Sequence, residues 1–290
     1  MSTTLQRIPA LGLVLLLGFA GHAAAQAAPE HFRFNAGQTI QPFFDGWTRN
    51  DDGSFEFHFA YLNRNFVEEL EIPVGPDNHL TPGDPDQGQP TYFYPRRHSR
   101  MFSTTVPADW GEREVVWQVT VNDEPHRAVG WLLPEWEIDL NAGARRVSAE
   151  LLATNQSPML SVSAPSTGST ETPLTLHAAV SDDGLPPARE SFGGTGAPPA
   201  FAPQDDGPTL PVNVPQIQRN NRHLPTRIQA ERVNVTWTQL RGPVGARLTS
   251  NGEEDASVTA IFPRPGHYIF KVQASDGPAT ATEEFEIRIR

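Results

Sequence analysis

The stretch Phe55-Glu-Phe-His-Phe-Ala-Tyr61 decides the fold. Phe55, Phe57, Phe59 and Tyr61 fall on one side of an extended chain, and Glu56, His58 and Ala60 on the other. Strand side chains alternate between two faces, so this period of two predicts a half-buried β-strand. Asn50-Asp-Asp-Gly53, just before it, is turn chemistry, because Asp and Gly tolerate the left-handed conformations of a tight reversal. Val115, Trp117, Val119 and Val121 repeat the alternation. Asn122-Asp-Glu-Pro125 then turns the chain into Ala128-Val-Gly-Trp-Leu-Leu133, and the two runs predict a hairpin. No window of a dozen residues carries a helical stripe. Of the 26 aromatic residues, 18 lie between Phe32 and Trp136, which marks residues 26–142 as one aromatic-rich unit. The expected fold class is all-β, and this unit is an antiparallel β-sandwich.

Two segments interrupt the pattern. Pro73 to Pro90 consists almost wholly of turn formers and reads as a long loop, of a length that is uncommon without function or disorder. Residues 184–229 hold 9 Pro and 5 Gly in 46 positions and read as an inserted loop rather than strand. Between them, residues 143–157 read as a linker with one short helical turn. From residue 158 onward, strand-like pieces recur at Met159–Ser163, Leu174–Val180, Val233–Gln239, Ser257–Phe262, His267–Ala274 and Thr280–Ile289. Short strands with turn signals between them predict a second sandwich over 158–290.

Composition removes several classes of function. The chain has 290 residues, 34 Asp and Glu against 22 Lys and Arg, a formal charge of −12 and no Cys. Without a thiol there is no disulfide framework, no Cys-ligated metal and no Cys nucleophile. An acidic balance argues against a nucleic-acid partner, whose affinity rests on Lys and Arg at phosphates. Arg7, the apolar run Leu11–Ala20 and the small residues Ala23 and Ala25 follow the order of a secretory signal peptide, residues 1–25, with cleavage expected before Gln26. The apolar run is shorter than a membrane span, and no later segment reaches that length. Export to a periplasmic or extracellular location is the expectation. Only Lys271 among the 22 basic residues is a lysine, a bias that reads as codon usage in a GC-rich bacterium.

Residues 158–290 carry a family resemblance. Ser181-Asp-Asp-Gly-Leu-Pro186, Val235-Thr-Trp-Thr-Gln239, Arg241-Gly-Pro243, Thr259 through Tyr268 and Val272-Gln-Ala-Ser-Asp-Gly277 occur in one order. Together they resemble the PKD domain superfamily of immunoglobulin-like modules. The resemblance implies that Trp237 is the core tryptophan of the third strand and that Pro265 to Tyr268 opens the strand ending at Gly277. It further implies a spacer, adhesion or interaction module without catalytic residues. The chain departs from the family by the long insertion. In the first unit, Tyr61 to Asn65, Ile72 to Asn78 and Pro82 to Pro90 are similar to a segment of exported bacterial proteins, with no function implied.

Chemistry-bearing motifs are scarce. The sequence has no Gly-x-Ser-x-Gly elbow, no His-Glu-x-x-His pair and no phosphate-binding Gly-rich loop. Its nine histidines are scattered singly, which specifies no metal. Asp77, Asp84 and Asp86, like Asp182 and Asp183, suit either calcium or turns, and their spacing favours turns; no cofactor or metal is expected. The sharpest recognition candidate is Tyr92, Tyr94, Arg96, Arg97, His98 and Arg100, the densest positive charge in the chain. Guanidinium groups grip carboxylates and Tyr faces suit sugars or protein side chains. The competing reading makes the tyrosines one face of a strand and pairs the arginines with nearby carboxylates. Trp110 and Trp136 sit near turns, either on that surface or closing the ends of the core. The sequence thus predicts a non-catalytic binding or interaction protein of a bacterial envelope, with an exported protein or an acidic polysaccharide as partner. An enzyme or accessory subunit with its site in the first unit is the alternative, and a structural envelope component is the third. A concave cleft holding a His–carboxylate pair would favour the enzyme; a convex Tyr92/Arg96/Arg97 patch would favour binding.

Overall fold

In the computed structural model, residues 34–139, 148–185, 225–230, 233–251 and 256–290 are described. The signal segment, residues 143–147 of the linker and most of the 184–229 insertion lie outside them. The aromatic alternation at Phe55–Asn63 (β2) is a strand between Ile40–Arg49 (β1) and Arg96–Val106 (β6), all antiparallel. Phe55, Phe57, Phe59 and Tyr61 are buried, as the period of two requires. The facing sheet joins Asn78–Thr81 (β4), Val115–Val121 (β7) and Glu124–Gly130 (β8), with β7 in the middle. Asn122 and Asp123 turn the β7–β8 hairpin with φ of 55° and 61°. Trp117 fills the space between the sheets, 4.9 Å edge-on from Phe102 and 6.1 Å from Phe59.

Two expectations change here. The Pro73–Pro90 segment contains β4, because Asn78 and Leu80 are buried against β7 despite the surrounding turn formers. The return strand stops at Gly130 rather than Leu133; Trp131 to Leu133 lead into a 3-10 turn at Pro134–Trp136. Beyond that turn the chain crosses β1, where Ile138 N–H donates to Trp47 O at 2.8 Å. A Cβ on Gly46, whose φ is +120°, would lie 2.5 Å from Trp136 O, so this crossing needs glycine.

A short helix at Ala149–Thr154 (α1), capped by Ser148, occupies the expected helical turn of the linker. The second sandwich packs Leu174–Ser181 (β11), between Met159–Ser163 (β9) and Val258–Ile261 (β15), with Arg247–Ser250 (β14) at the edge. Its other sheet runs through Thr280–Ile289 (β17), Gly266–Ser275 (β16), Val233–Arg241 (β13) and Thr226–Ala230 (β12), with Thr167–Gly168 (β10) outside β17. Trp237, Tyr268, Phe270 and Val272 are fully buried in one core. β12 corrects the reading of 184–229 as loop throughout. Its five residues pair with β13, and Ile228 is 3% exposed, a short apolar anchor hidden in a Pro-rich stretch.

The sandwiches are joined by more than their linker. Tyr92–Phe93 (β5) pairs with Leu70–Glu71 (β3) and lies against the end of β13. There Thr91 N–H donates to Leu240 O at 3.0 Å, and Gly242 N–H to Thr91 Oγ1 at 3.2 Å. Arg241 grips both oxygens of Asp86, at 2.9 and 2.5 Å, and donates to Gln89 O at 2.9 Å. Leu240 is 2% exposed and belongs to the core of the first sandwich.

Candidate binding cleft between the sandwiches

Period two also fixes which residues point away from the cores. On β2 those are Glu56, His58 and Ala60; on β13 Asn234, Thr236, Thr238 and Leu240; on β16 Lys271, Gln273 and Ser275. Near the junction these outward positions are buried: Ala60, Thr238, Leu240 and Lys271 are at most 6% exposed. Further away they open. Glu56, His58, Ser103 and Arg100 form one wall of a cleft of about 620 Å³, and Thr236, Lys271, Gln273, Thr282 and Glu284 belong to the other. The walls come from different sandwiches, so the junction creates the cleft.

Lys271, the only lysine of the chain, sits in this cleft at 6% exposure. Its ammonium donates to Met101 O and, at 3.3 Å, to Arg100 O, tying β16 to β6. Burial pulls its pKa down to about 8, and Glu284, its cross-strand neighbour, opposes the shift. No carboxylate among the described residues lies within ion-pair distance of it. On the opposite wall Ser103 donates a hydrogen bond to Glu56 Oε1. His58 Nε2 bonds Thr48 Oγ1 at 2.9 Å. Its pKa is lowered chiefly by burial and also by Arg100 and Lys271, against the pull of Glu56 and Asp45.

The basic and aromatic cluster is divided among three places. Tyr92 and Tyr94 are inside, at 1% and 4% exposure, with rings 4.6 Å apart and edge-on. Tyr94 N–H donates to Tyr61 Oη and Gln239 N–H donates to Tyr94 Oη, both at 2.8 Å, so these phenols stitch the two sandwiches together. Burial pushes the pKa values of Tyr61, Tyr92 and Tyr94 well above 10. Neither Tyr92 nor Tyr94 offers a face to a ligand. His98 lies beside them, 5.4 Å from the Tyr61 and Tyr94 rings. Arg96 stands over the Phe66 ring at 4.2 Å, and Arg97 reaches Asp45 at 3.1 Å while covering Phe43 at 5.0 Å. Arg100 lines the cleft. Its backbone takes a φ of 48°, held by N–H donation to Asp45 Oδ2 at 2.9 Å. A non-glycine residue in that region is a strained conformation of the kind found at ligand sites.

The aspartates serve turns and the junction. Asp84 Oδ1 accepts from Asp86 N–H, and Asp182 and Asp183 accept from Gly184 and Leu185 N–H. Among the described residues no three His, Cys, Asp or Glu side chains are grouped to hold a metal ion. No helix among them is long and apolar enough to cross a membrane. Trp110 packs against the first core, while Trp136 is 41% exposed beside Phe44 and Trp131.

No protein-family model matches the sequence, and no curated protein matches it. Among solved structures the chain is similar to a chimeric titin Z1Z2 carrying an exogenous KLER peptide from decorin. The identity is 13% and the TM-score 0.23, over 88% of this chain and 99% of that one. It is also similar to an endo-fucoidan hydrolase of glycoside hydrolase family 107, at 11% identity and TM-score 0.23. That match covers 90% of this chain and 30% of the hydrolase. At these scores neither likeness carries an argument; the fold stands on the strands themselves, which make an all-β protein whose sheets are antiparallel except where β10 pairs with β17.

Proposed function

We propose that this is an exported, non-catalytic binding protein of a bacterial envelope, that its second sandwich is PKD-like, and that its ligand site is the cleft between the sandwiches. The observation that carries this reading is the lining. Hydroxyls of Ser103, Thr236, Thr280 and Thr282 and amides of Asn234 and Gln273 line one concavity of about 620 Å³. Hydroxyl and amide groups can both donate and accept, which matches the alternating donors and acceptors of a saccharide. The volume lies within the range of small-ligand clefts, which favours a saccharide over an exported protein as partner. The test is a glycan-array measurement with wild type and Thr282→Trp. Thr282 is exposed, so the added ring fills the cleft without entering a core. Retention of a saccharide by wild type and at least a tenfold loss in the variant is the expected result. Retention unaffected by Thr282→Trp would place the site elsewhere.

A hydrolytic centre is the second reading, favoured by His58 and Glu56 standing in the same concave wall. Against it, Glu56 takes its hydrogen bond from Ser103 and His58 is engaged with Thr48, so no nucleophile, base and orienting group stand in line. Turnover of a captured saccharide that Glu56→Gln abolishes would establish this second reading.

A further inference from the structure

We infer that the cleft seats an anionic oxygen group of an acidic saccharide, a carboxylate or a sulfate, between the Lys271 ammonium and the Arg100 guanidinium. This rests on the saccharide-cleft reading and names its ligand class. Every other basic residue of the chain is arginine or histidine, yet the outward position most deeply buried on β16 is lysine. The structure gives that choice a physical reason. An ammonium is compact and has three protons in tetrahedral array. Two of them meet the carbonyls of Arg100 and Met101, acceptors that carry no net charge. The positive charge therefore stays largely uncompensated in a partly dry place, and a third proton remains for a ligand. A buried cation of this kind is costly until an anion joins it.

Arg100 supplies the second half. It lines the same cleft and makes no ion pair with any described residue, unlike Arg97 and Arg241. Asp45 fixes its backbone in the left-handed turn, so one carboxylate both restrains Arg97 and sets the Arg100 main chain. The two carboxylates of the cleft do not cancel the seat. Glu56 keeps its charge while accepting the Ser103 hydroxyl and forms an ion pair with neither cation, and Glu284 is an exposed residue paired in register with Lys271 but beyond ion-pair distance. The planar guanidinium suits two oxygens of one anionic group, and the ammonium suits a single oxygen, so carboxylate and sulfate both fit.

The test uses four probes on the full mature chain: an oligogalacturonate, its fully methyl-esterified form, a sulfated galactan oligomer and its desulfated form. Calorimetry gives affinities. Biosynthetic 15N-lysine labelling gives a single side-chain ammonium resonance, because the chain has one lysine. The inference expects binding of at least one charged probe, about tenfold or more tighter than its neutral form, with a shift of the Lys271 resonance. Arg100→Gln, an exposed change that leaves both cores intact, weakens that probe about ten- to a hundredfold, the range of a charge-assisted hydrogen bond. Glu284→Gln tightens it about two- to fivefold by removing a like charge that solvent partly screens. Which charged probe responds tells carboxylate from sulfate. If charged and neutral forms bind alike and Thr282→Trp blocks both, the anion seat is wrong and the saccharide cleft stands. If no probe binds and the Lys271 resonance stays fixed, both are overturned.

Discussion

The two sandwiches are made by the same alternation and differ in self-sufficiency. All buried residues of the second core, from Leu176 to Ile289, come from its own strands and the turns that join them. The first core contains Leu240, which belongs to β13 of the second. One sandwich is closed and the other is completed by its neighbour. The difference teaches that the outer face of a sheet is a surface only until something covers it. On β13 the outward row runs from exposed Asn234 to fully enclosed Leu240 within seven residues.

The largest effect expected from this asymmetry follows Leu240→Ala. Removing a buried leucine side chain costs about 2–5 kcal/mol. Hydrogen exchange should accelerate in β2 and β7 of the first sandwich while β16 and β17 stay protected. Loss of protection in β16 and β17 alone would reverse the comparison. The next effect belongs to Lys271. Its folded pKa of about 8 lies below the ordinary 10.5, so the unfolded chain holds the proton more tightly. The cost of burying the ammonium is therefore fully present below pH 8 and fades as pH rises toward 10.5, adding up to about 3 kcal/mol of stability. Above pH 10 the tyrosines act in the opposite sense. The folded state keeps Tyr61, Tyr92 and Tyr94 protonated where unfolded tyrosines ionise, so stability falls. Denaturant titrations between pH 7.5 and about 10 should show the rising arm in wild type and none in Lys271→Met. The smallest effect is that of the rim ion pair. Arg241 holds the Asp86 carboxyl below its ordinary 3.8, so the pair contributes above that pH and is lost as pH falls through the lowered value. Asp86 is nearly half exposed, so Asp86→Asn should cost only about 1 kcal/mol at pH 7. A larger loss there than at Leu240 would mean that the rim, not the inserted leucine, joins the sandwiches.

Legibility in the sequence followed from whether a segment answers to its own neighbours along the chain. The strand at Phe55–Tyr61 and the run from Tyr268 to Ala274 are readable because large core side chains alternate with polar or smaller ones, Glu56 and His58 in the first and Lys271 and Gln273 in the second. Tyr92-Phe-Tyr94 was not readable. All three are buried, the pattern of a segment covered on both faces, and the second cover comes from residues some 145 positions away. Placing the tyrosines on a basic surface followed from their neighbours Arg96 and Arg97, which do lie outside. β12 is hidden by averaging: the four of its residues that fall within 184–229 cannot lift a window of 46 rich in Pro and Gly. The cleft was half visible. Glu56 and His58 were legible as an outward pair on β2, but nothing in local pattern says that the outward row of β16 stands opposite. In the sequence Lys271 is only a compositional oddity, since its meaning depends on the two carbonyls it meets.

Leu240 also sets an order of events. Synthesis runs from the N-terminus, so the residues of the first sandwich, through about 139, are complete roughly a hundred residues before the side chain that closes their core. At 5–20 residues per second that interval is on the order of 5–20 s. During it the socket for Leu240 stands open, an apolar opening that other chains can reach.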